Sequence, residues 1–233
     1  MIDPTDPEFW PRLFDGLLVA SGETLIMLVV TGLVTLIGGL ALGVILVATD
    51  ADGVLAAPCG SRALGRGINL VLGTIVNIGR SVPFIILMVA LIPVSRFLVG
   101  SAFSLEGAIV PLCVAAVPFF ARIAEIALRE VPSGLVEAGT AMGASPVQLL
   151  VKVLVPEAVP ALLRGFTTTL VTIVNYSAIV TVVGNYGLGS FAYVNGYQRY
   201  SVIHILAVVA LLVALVHLLQ WLGNRLAARL SHR

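Results

Sequence analysis

Apolar positions along this chain come in long uncharged blocks. They show neither the two-residue alternation of a half-buried strand nor the one-sided stripe of a soluble helix. A helix needs about 20 apolar residues to cross the hydrocarbon core of a bilayer, and five blocks reach that length. Thr24–Thr49 is 26 residues without a formal charge. Gly67–Ser95 holds one charge, Arg80, and Pro83 predicts a kink in it. Glu106–Leu128 opens on an acid, which suits a helix N-terminus, and Pro111 and Pro118 are expected to bend it. Gly165–Gln198 is an uncharged run of 34 residues. Its approach and first part, about Pro160–Val183, predict a fourth span. Its Gly-, Asn- and Tyr-rich remainder, Gly184–Tyr200, predicts a loop. Ser201–Asn224 is the fifth span. The pattern thus predicts one all-α polytopic membrane domain over residues 1–233, with spans at about 24–49, 68–95, 106–128, 160–183 and 201–224.

Composition supports that picture. Of 233 residues, 59% are hydrophobic and 11% are Asp, Glu, Lys or Arg, against roughly 25% charged in a soluble domain. A soluble enzyme, a disordered chain and a nucleic-acid binder are excluded, because a globule of this size cannot hide so much apolar surface and a net charge of +1 builds no basic field. Cys59 and Cys113 make neither a metal pattern nor a disulfide framework and read as apolar fillers. Met1–Glu8, acidic and Pro-rich, reads as an appended leader and not as a signal peptide.

Five spans place the termini on opposite faces, and the basic residues decide which. With the N-terminus outside, the inner face receives Arg62, Arg66, Arg122, Arg129, Lys152, Arg164, Arg225, Arg229 and Arg233, nine in all. The outer face receives three, Arg12, Arg96 and Arg199. The positive-inside rule then sets the N-terminus periplasmic and the C-terminus cytoplasmic in a bacterial inner membrane.

One inner segment, about 133–156, carries helix punctuation of its own. Ser133 is placed to cap a helix over Gly134–Met142, and Gly143 to end it in the left-handed conformation. Ser145-Pro146-Val147-Gln148 reads as N-cap, Pro at the first helical position and a capping-box Gln. The second helix is expected to stop before Pro156. On pattern alone, an amphipathic connector lying on the membrane is the alternative.

The residues here, Glu137-Ala138-Gly139, then Gly143 and, nine residues on, Val153-Leu154-Val155-Pro156, resemble the EAA loop of bacterial ATP-binding-cassette importer permeases. Gly139 stands where a second Ala is usual. The resemblance covers roughly residues 15–230 and is to the permeases of methionine importers, within the binding-protein-dependent transport permease family. It is carried by Asn77-Ile-Gly-Arg80-Ser-Val-Pro83-Phe-Ile-Ile-Leu, Pro118-Phe-Phe-Ala-Arg122, Ala141-Met-Gly-Ala144, Tyr176-Ser-Ala178 and Gly187-Leu-Gly189. It implies a type I importer permease fold: five transmembrane helices with a cytoplasmic helix–turn–helix coupling segment. It further implies a homodimer, two copies of a separate cytoplasmic ATPase that binds ATP and Mg, a periplasmic methionine-binding protein, and methionine in L and D form as substrate. Related permeases for other amino acids share this architecture. By the same resemblance Glu137, Ala138, Gly139, Met142, Gly143, Ala144 and Pro156 form the ATPase-coupling surface, although capping of its helix would also explain Glu137.

The chain has no Gly-x-x-x-x-Gly-Lys-Ser/Thr, hence no phosphate cradle of its own. No cofactor and no metal is expected in it. Spans 1, 2, 4 and 5 hold no central acid, which argues against a proton- or sodium-coupled carrier or a channel. No catalytic His/Cys/Asp/Glu cluster lies inside the spans, so an intramembrane enzyme finds little support. Glu125, with Arg122 and Arg129 at helical spacing, is expected to be ion-paired. For the transport path the candidates are Arg80, Thr168, Thr172, Asn175, Tyr176 and Ser177. Arg80 faces either a polar cavity and the substrate carboxylate, or the kinked backbone near Pro83. Thr168, Thr172 and Asn175 share one helix face, which either lines the path or bonds its own carbonyls. His204 and His217 read as packing residues, and Arg225–Arg233 as a basic tail drawn to anionic lipid.

Overall fold

The computed structural model describes residues 7–51, 53–55, 61–180 and 184–230. Most of the leader, Cys59, residues 181–183 of the fourth predicted span and Arg233 lie outside them. The described residues are helical: α1 (Phe9–Ala48), α2 (Arg62–Ser81), α3 (Phe84–Ala90), α4 (Ile92–Val99), α5 (Leu105–Arg129), α6 (Ser133–Ala141), α7 (Pro146–Leu149), α8 (Val155–Ile179), α9 (Gly187–Phe191) and α10 (Val202–Leu230). Four stretches are long and apolar enough to cross a membrane: α1, α5, Pro146–Ile179 and α10. The pair α2 and α3 makes a fifth if its break is one span bent by 106°.

Three elements differ from the sequence expectation. The first helix starts at Phe9, well before Thr24, because Phe9, Leu13, Leu17 and Ala20 form a buried helical stripe that extends it despite Asp15 and Glu23. The second does not kink but breaks. Proline disfavours helical geometry in the residue before it, and Val82 is extended at φ −87°, ψ 127°. The third is Gly184–Tyr200, which is no open loop. Gly187–Phe191 is helical and Ala192–Tyr197 forms a π-helical turn. Anchors on α1 make that possible. Gly187 N–H donates to Glu23 Oε2 (2.7 Å) and Leu188 N–H to Thr24 Oγ1 (2.9 Å), so two orphan donors of α9 are satisfied from outside the element. α5 runs on through Pro111 and Pro118.

The chain forms two units. The first comprises Met1–Leu33, Pro83–Val114 and Leu170–Gln220. Its core sets the α1 stripe against Leu188 and Val208. His204 is buried there and packs as expected, its Nδ1 2.7 Å from Ser201 Oγ and its ring edge-on to Phe9. The second comprises Val34–Val82, Ala115–Thr169 and Trp221–Arg233. Its core gathers Ala48, Ala124, Leu128, Leu150, Leu154 and Leu162. Small residues bring α1 onto α5: a Cβ built on Gly43 would lie 2.7 Å from Ala124 Cβ and 2.8 Å from the Ala121 carbonyl. Beside them Glu125, only 4% exposed, accepts from Arg122 (2.7 Å) and Arg129 (2.8 Å), and Arg129 also reaches Asp50 (2.8 Å). Outside the cores the long helices expose apolar side chains such as Leu18, Ile37, Leu70, Leu206 and Val213, surface suited to lipid or to another apolar partner.

Candidate functional site

The segment between α5 and α8 is a rigid hairpin. α6 opens after Pro132 with no side-chain cap, so Ser133 is its first residue and not its cap. Its end is built from backbone. Gly143 has φ +78°, its N–H donates to the Thr140 carbonyl (2.9 Å), and Ala144 N–H donates to that of Gly139 (3.0 Å). These are the two bonds of a Schellman closure. Ser145 then caps α7: its Oγ accepts from Gln148 N–H and Gln148 Oε1 accepts from Ser145 N–H (2.9 Å). Two terminators meet within three residues and fix the turn.

Beyond α7 the chain does not stop before Pro156. A π-helical turn, Leu150–Leu154, carries it into α8, where Pro156 is the second residue. Pro156 has no N–H to donate, and it stands just past the π-turn, where the bonding pattern changes from the wider i→i−5 spacing back to i→i−4. The π-turn sets α7 and α8 in one continuous helical course, Pro146–Ile179.

On this hairpin Gly139 is buried, and a Cβ there would lie 2.6 Å from Leu149 Cδ2. The glycine in place of the usual alanine lets α6 and α7 approach closely. Glu137 is the fifth residue of α6, exposed and past the first turn, so capping does not account for it. Ala138 and Ala141 are exposed beside it, and Met142 is 83% exposed at the tip. Val147 and Val151 extend an apolar exposed surface. Pro156 stands apart from that tip. With Glu130, Glu157, Arg164 and Leu230 it lines a cavity of about 300 Å³.

The path candidates separate by exposure. On α8 Thr168 and Asn175 are exposed and Thr172 is half-buried. Thr168 Oγ1 donates to the Arg164 carbonyl (3.1 Å), and buried Ser177 donates to that of Val174 (2.8 Å), so both hydroxyls serve their own helix. Half-buried Tyr176 lies flat on Phe84, ring centroids 4.5 Å apart and planes 6° from parallel. Phe84 follows the break at Pro83, and nothing in the sequence pattern singled it out. Arg80 occupies the last turn of α2, exposed, with no ion pair among the described residues. Its charge there complements the negative end of the helix dipole. Asp50 was also missed as the partner of Arg129; its only sequence signal was its position, closing the first uncharged block.

The comparisons with known proteins agree with this architecture. The probable D-methionine transport system permease protein MetI of Vibrio cholerae serotype O1 is 46% identical over 219 residues, 94% of each chain. The corresponding protein of Pasteurella multocida is 40% identical over 224 residues, covering 96% of this chain and 99% of its own. Among solved structures, an inward-facing conformation of the MetNI methionine ABC transporter superposes with a TM-score of 0.88 at 42% identity, covering 98% of this chain and all of that one. The fold is thus that of a type I importer permease. Residues 52–232 match the family described as binding-protein-dependent transport system inner membrane component, and the chain belongs to that family.

Proposed function

We propose that the chain is the membrane-spanning permease subunit of an ATP-driven methionine importer. It acts as a homodimer with two copies of a cytoplasmic ATP-binding-cassette ATPase, and it receives methionine from a periplasmic binding protein. The N-terminus is periplasmic and the C-terminus cytoplasmic. ATP and Mg are bound by the ATPase, and no cofactor resides in this chain. Glu137, Ala138, Gly139, Met142, Gly143 and Ala144 form the coupling tip, with Pro156 holding the return into α8. Methionine passes along the exposed face of α8 at Asn175 and Tyr176, with Thr168, Thr172, Ser177 and Arg80 shaping the surroundings.

The observation that carries this reading is the doubly terminated hairpin. Its Schellman closure and capping box present Glu137 and Met142 as one stiff knob. A knob of that kind transmits a push from an ATPase into α8 through the continuous course Pro146–Ile179. Similarity to a D-methionine transport permease and to a methionine ABC transporter supports methionine as the substrate.

The test is uptake by proteoliposomes holding the chain, the ATPase encoded with it and the matching binding protein. Methionine should accumulate only with all three and internal ATP. Accumulation driven by a proton or sodium gradient without ATP would overturn the proposal. Competition by other amino acids reads specificity.

A further inference from the structure

A second polar site lies in the unit that holds the hairpin, at the junction of α1 and α2. Thr49, Asp50 and Ala51 at the end of α1 and Arg62, Arg66 and Asn69 at the start of α2 enclose a cavity of about 260 Å³. Arg62 and Arg66 are one helical turn apart, so both guanidiniums project from the same side of α2. Neither makes an ion pair among the described residues.

The other polar groups of the cavity are already engaged. Asp50 Oδ2 is 2.8 Å from Arg129, and Oδ1 accepts from Ala51 N–H (2.9 Å). Asp50, Glu125, Arg122 and Arg129 together carry no net charge, so the two arginines remain as the excess positive charge of the cavity. Asn69 Nδ2 donates to the Leu46 carbonyl (2.7 Å) and to Thr49 Oγ1 (3.4 Å), and Thr49 donates to the Ile45 carbonyl (2.7 Å). These bonds hold the wall in place. What remains free to act on a ligand is a pair of guanidiniums, groups whose planar forks match phosphate oxygens.

The cavity is slightly below the usual volume of a small-molecule site, about 300–1,000 Å³. It has room for a headgroup and not for a whole nucleotide. It stands where the charged start of α2 passes into its uncharged stretch. Beyond it α2 exposes Leu70, Val71 and Ile75, apolar surface of the kind acyl chains cover. We propose that Arg62 and Arg66 bind the phosphodiester headgroup of an anionic phospholipid at the inner leaflet. Basic pockets at helix ends on the cytoplasmic side hold such headgroups by the same electrostatics. The lipid then ties the end of α1 to the start of α2, next to the Asp50–Arg129–Glu125 network.

The purified full-length chain, transferred into detergent with a defined lipid, gives the test by native mass spectrometry. The probes are dioleoylphosphatidylglycerol, dioleoylphosphatidylcholine and inorganic phosphate. Wild type should retain phosphatidylglycerol over phosphatidylcholine by about thirtyfold, the effect of two basic residues at an anionic surface. Arg62→Gln/Arg66→Gln should lower that preference to what the basic tail of α10 supplies. Arg96→Gln/Arg199→Gln removes the same charge from the outer face and should leave the preference unchanged. Arg66→Gln alone leaves the first residue of α2 in place and should lower the preference about fivefold, which serves if the double variant fails to fold. Equal retention of both lipids by wild type, or an undiminished preference in Arg62→Gln/Arg66→Gln, overturns the proposal. Arginine-dependent binding of inorganic phosphate without retained phosphatidylglycerol overturns it as well, since the source would then be a soluble phosphate. Neither methionine nor ATP enters the assay, so its outcome is separate from that of the import reading.

Discussion

Single residues here carry roles that their neighbours cannot take over. Gly143 sits at φ +78° with nothing within 4 Å of where a Cβ would be, so the demand on it is conformational and not steric. A β-branched residue there costs roughly 1–2 kcal/mol or more. Gly143→Val should leave the spans inserted but open the hairpin, and co-purification with the ATPase or coupled uptake should fall. Normal uptake by that variant would remove the hairpin from the mechanism. Tyr200 is the converse case. It is 84% exposed at φ 54°. Its N–H donates to the Tyr197 carbonyl, and Ser201 N–H donates to that of Gly196, the closure that glycine ordinarily fills. Tyr200→Gly should slow hydrogen exchange at Ser201, reflecting about 1 kcal/mol of relieved strain. Faster exchange would show that the tyrosine ring holds this corner.

At the scale of elements, what was legible depended on whether the cause is local. The Schellman glycine, the capping box and the Arg122–Glu125–Arg129 spacing lie within a few residues of their partners, and each stands in the structure as the sequence suggested. The break after α2 was legible in place, because Pro83 dictates the conformation of Val82, but its 106° size was not. The helical course of Gly187–Tyr197 was not legible: its anchors, Glu23 and Thr24, are 164 residues away. Thr168, Thr172 and Asn175 share one face by periodicity, but stacking of Tyr176 on Phe84 is a tertiary fact with no local signal. The close approach of α1 to α5 at Gly43 is likewise a tertiary fact. Gly43→Val should destabilise the chain by about 1–3 kcal/mol, since the added atoms meet the Ala121 carbonyl and Ala124 Cβ on a backbone that cannot turn aside. A thermal unfolding curve in detergent measures it, and an unchanged midpoint would mean that α1 slides freely over α5. Glu125→Gln weakens two charged hydrogen bonds at once and should cost about 1–3 kcal/mol. Asp50 still holds Arg129, which keeps the loss below that of an isolated buried charge.

For the whole molecule, transport requires that one set of residues be reached from each side of the membrane in turn. On the proposed reading α8 is the element that serves this. It continues the hairpin on which an ATPase would push, and it carries Asn175 and Tyr176. Asn175 is exposed, and Tyr176 keeps one ring face on Phe84. Methionine offers a thioether, methylenes and a charged amino-acid head, so its path should be mainly apolar with a few polar groups, and a tyrosine ring with its hydroxyl supplies both characters. A cysteine at position 175 or 176, in a chain lacking Cys59 and Cys113, should react with a polar thiol reagent. Position 175 should react faster in the state described here. Trapping ATP in the partner ATPase should change both rates, because α8 continues the helical course that begins at Pro146. Tyr176→Ala should lower methionine uptake without lowering basal ATP hydrolysis by the assembled complex, which separates a path residue from a coupling residue. If neither position labels in any nucleotide state and uptake is unaltered, the polar face of α8 is internal helix bonding, as the Thr168 and Ser177 hydroxyls already are, and the path runs elsewhere.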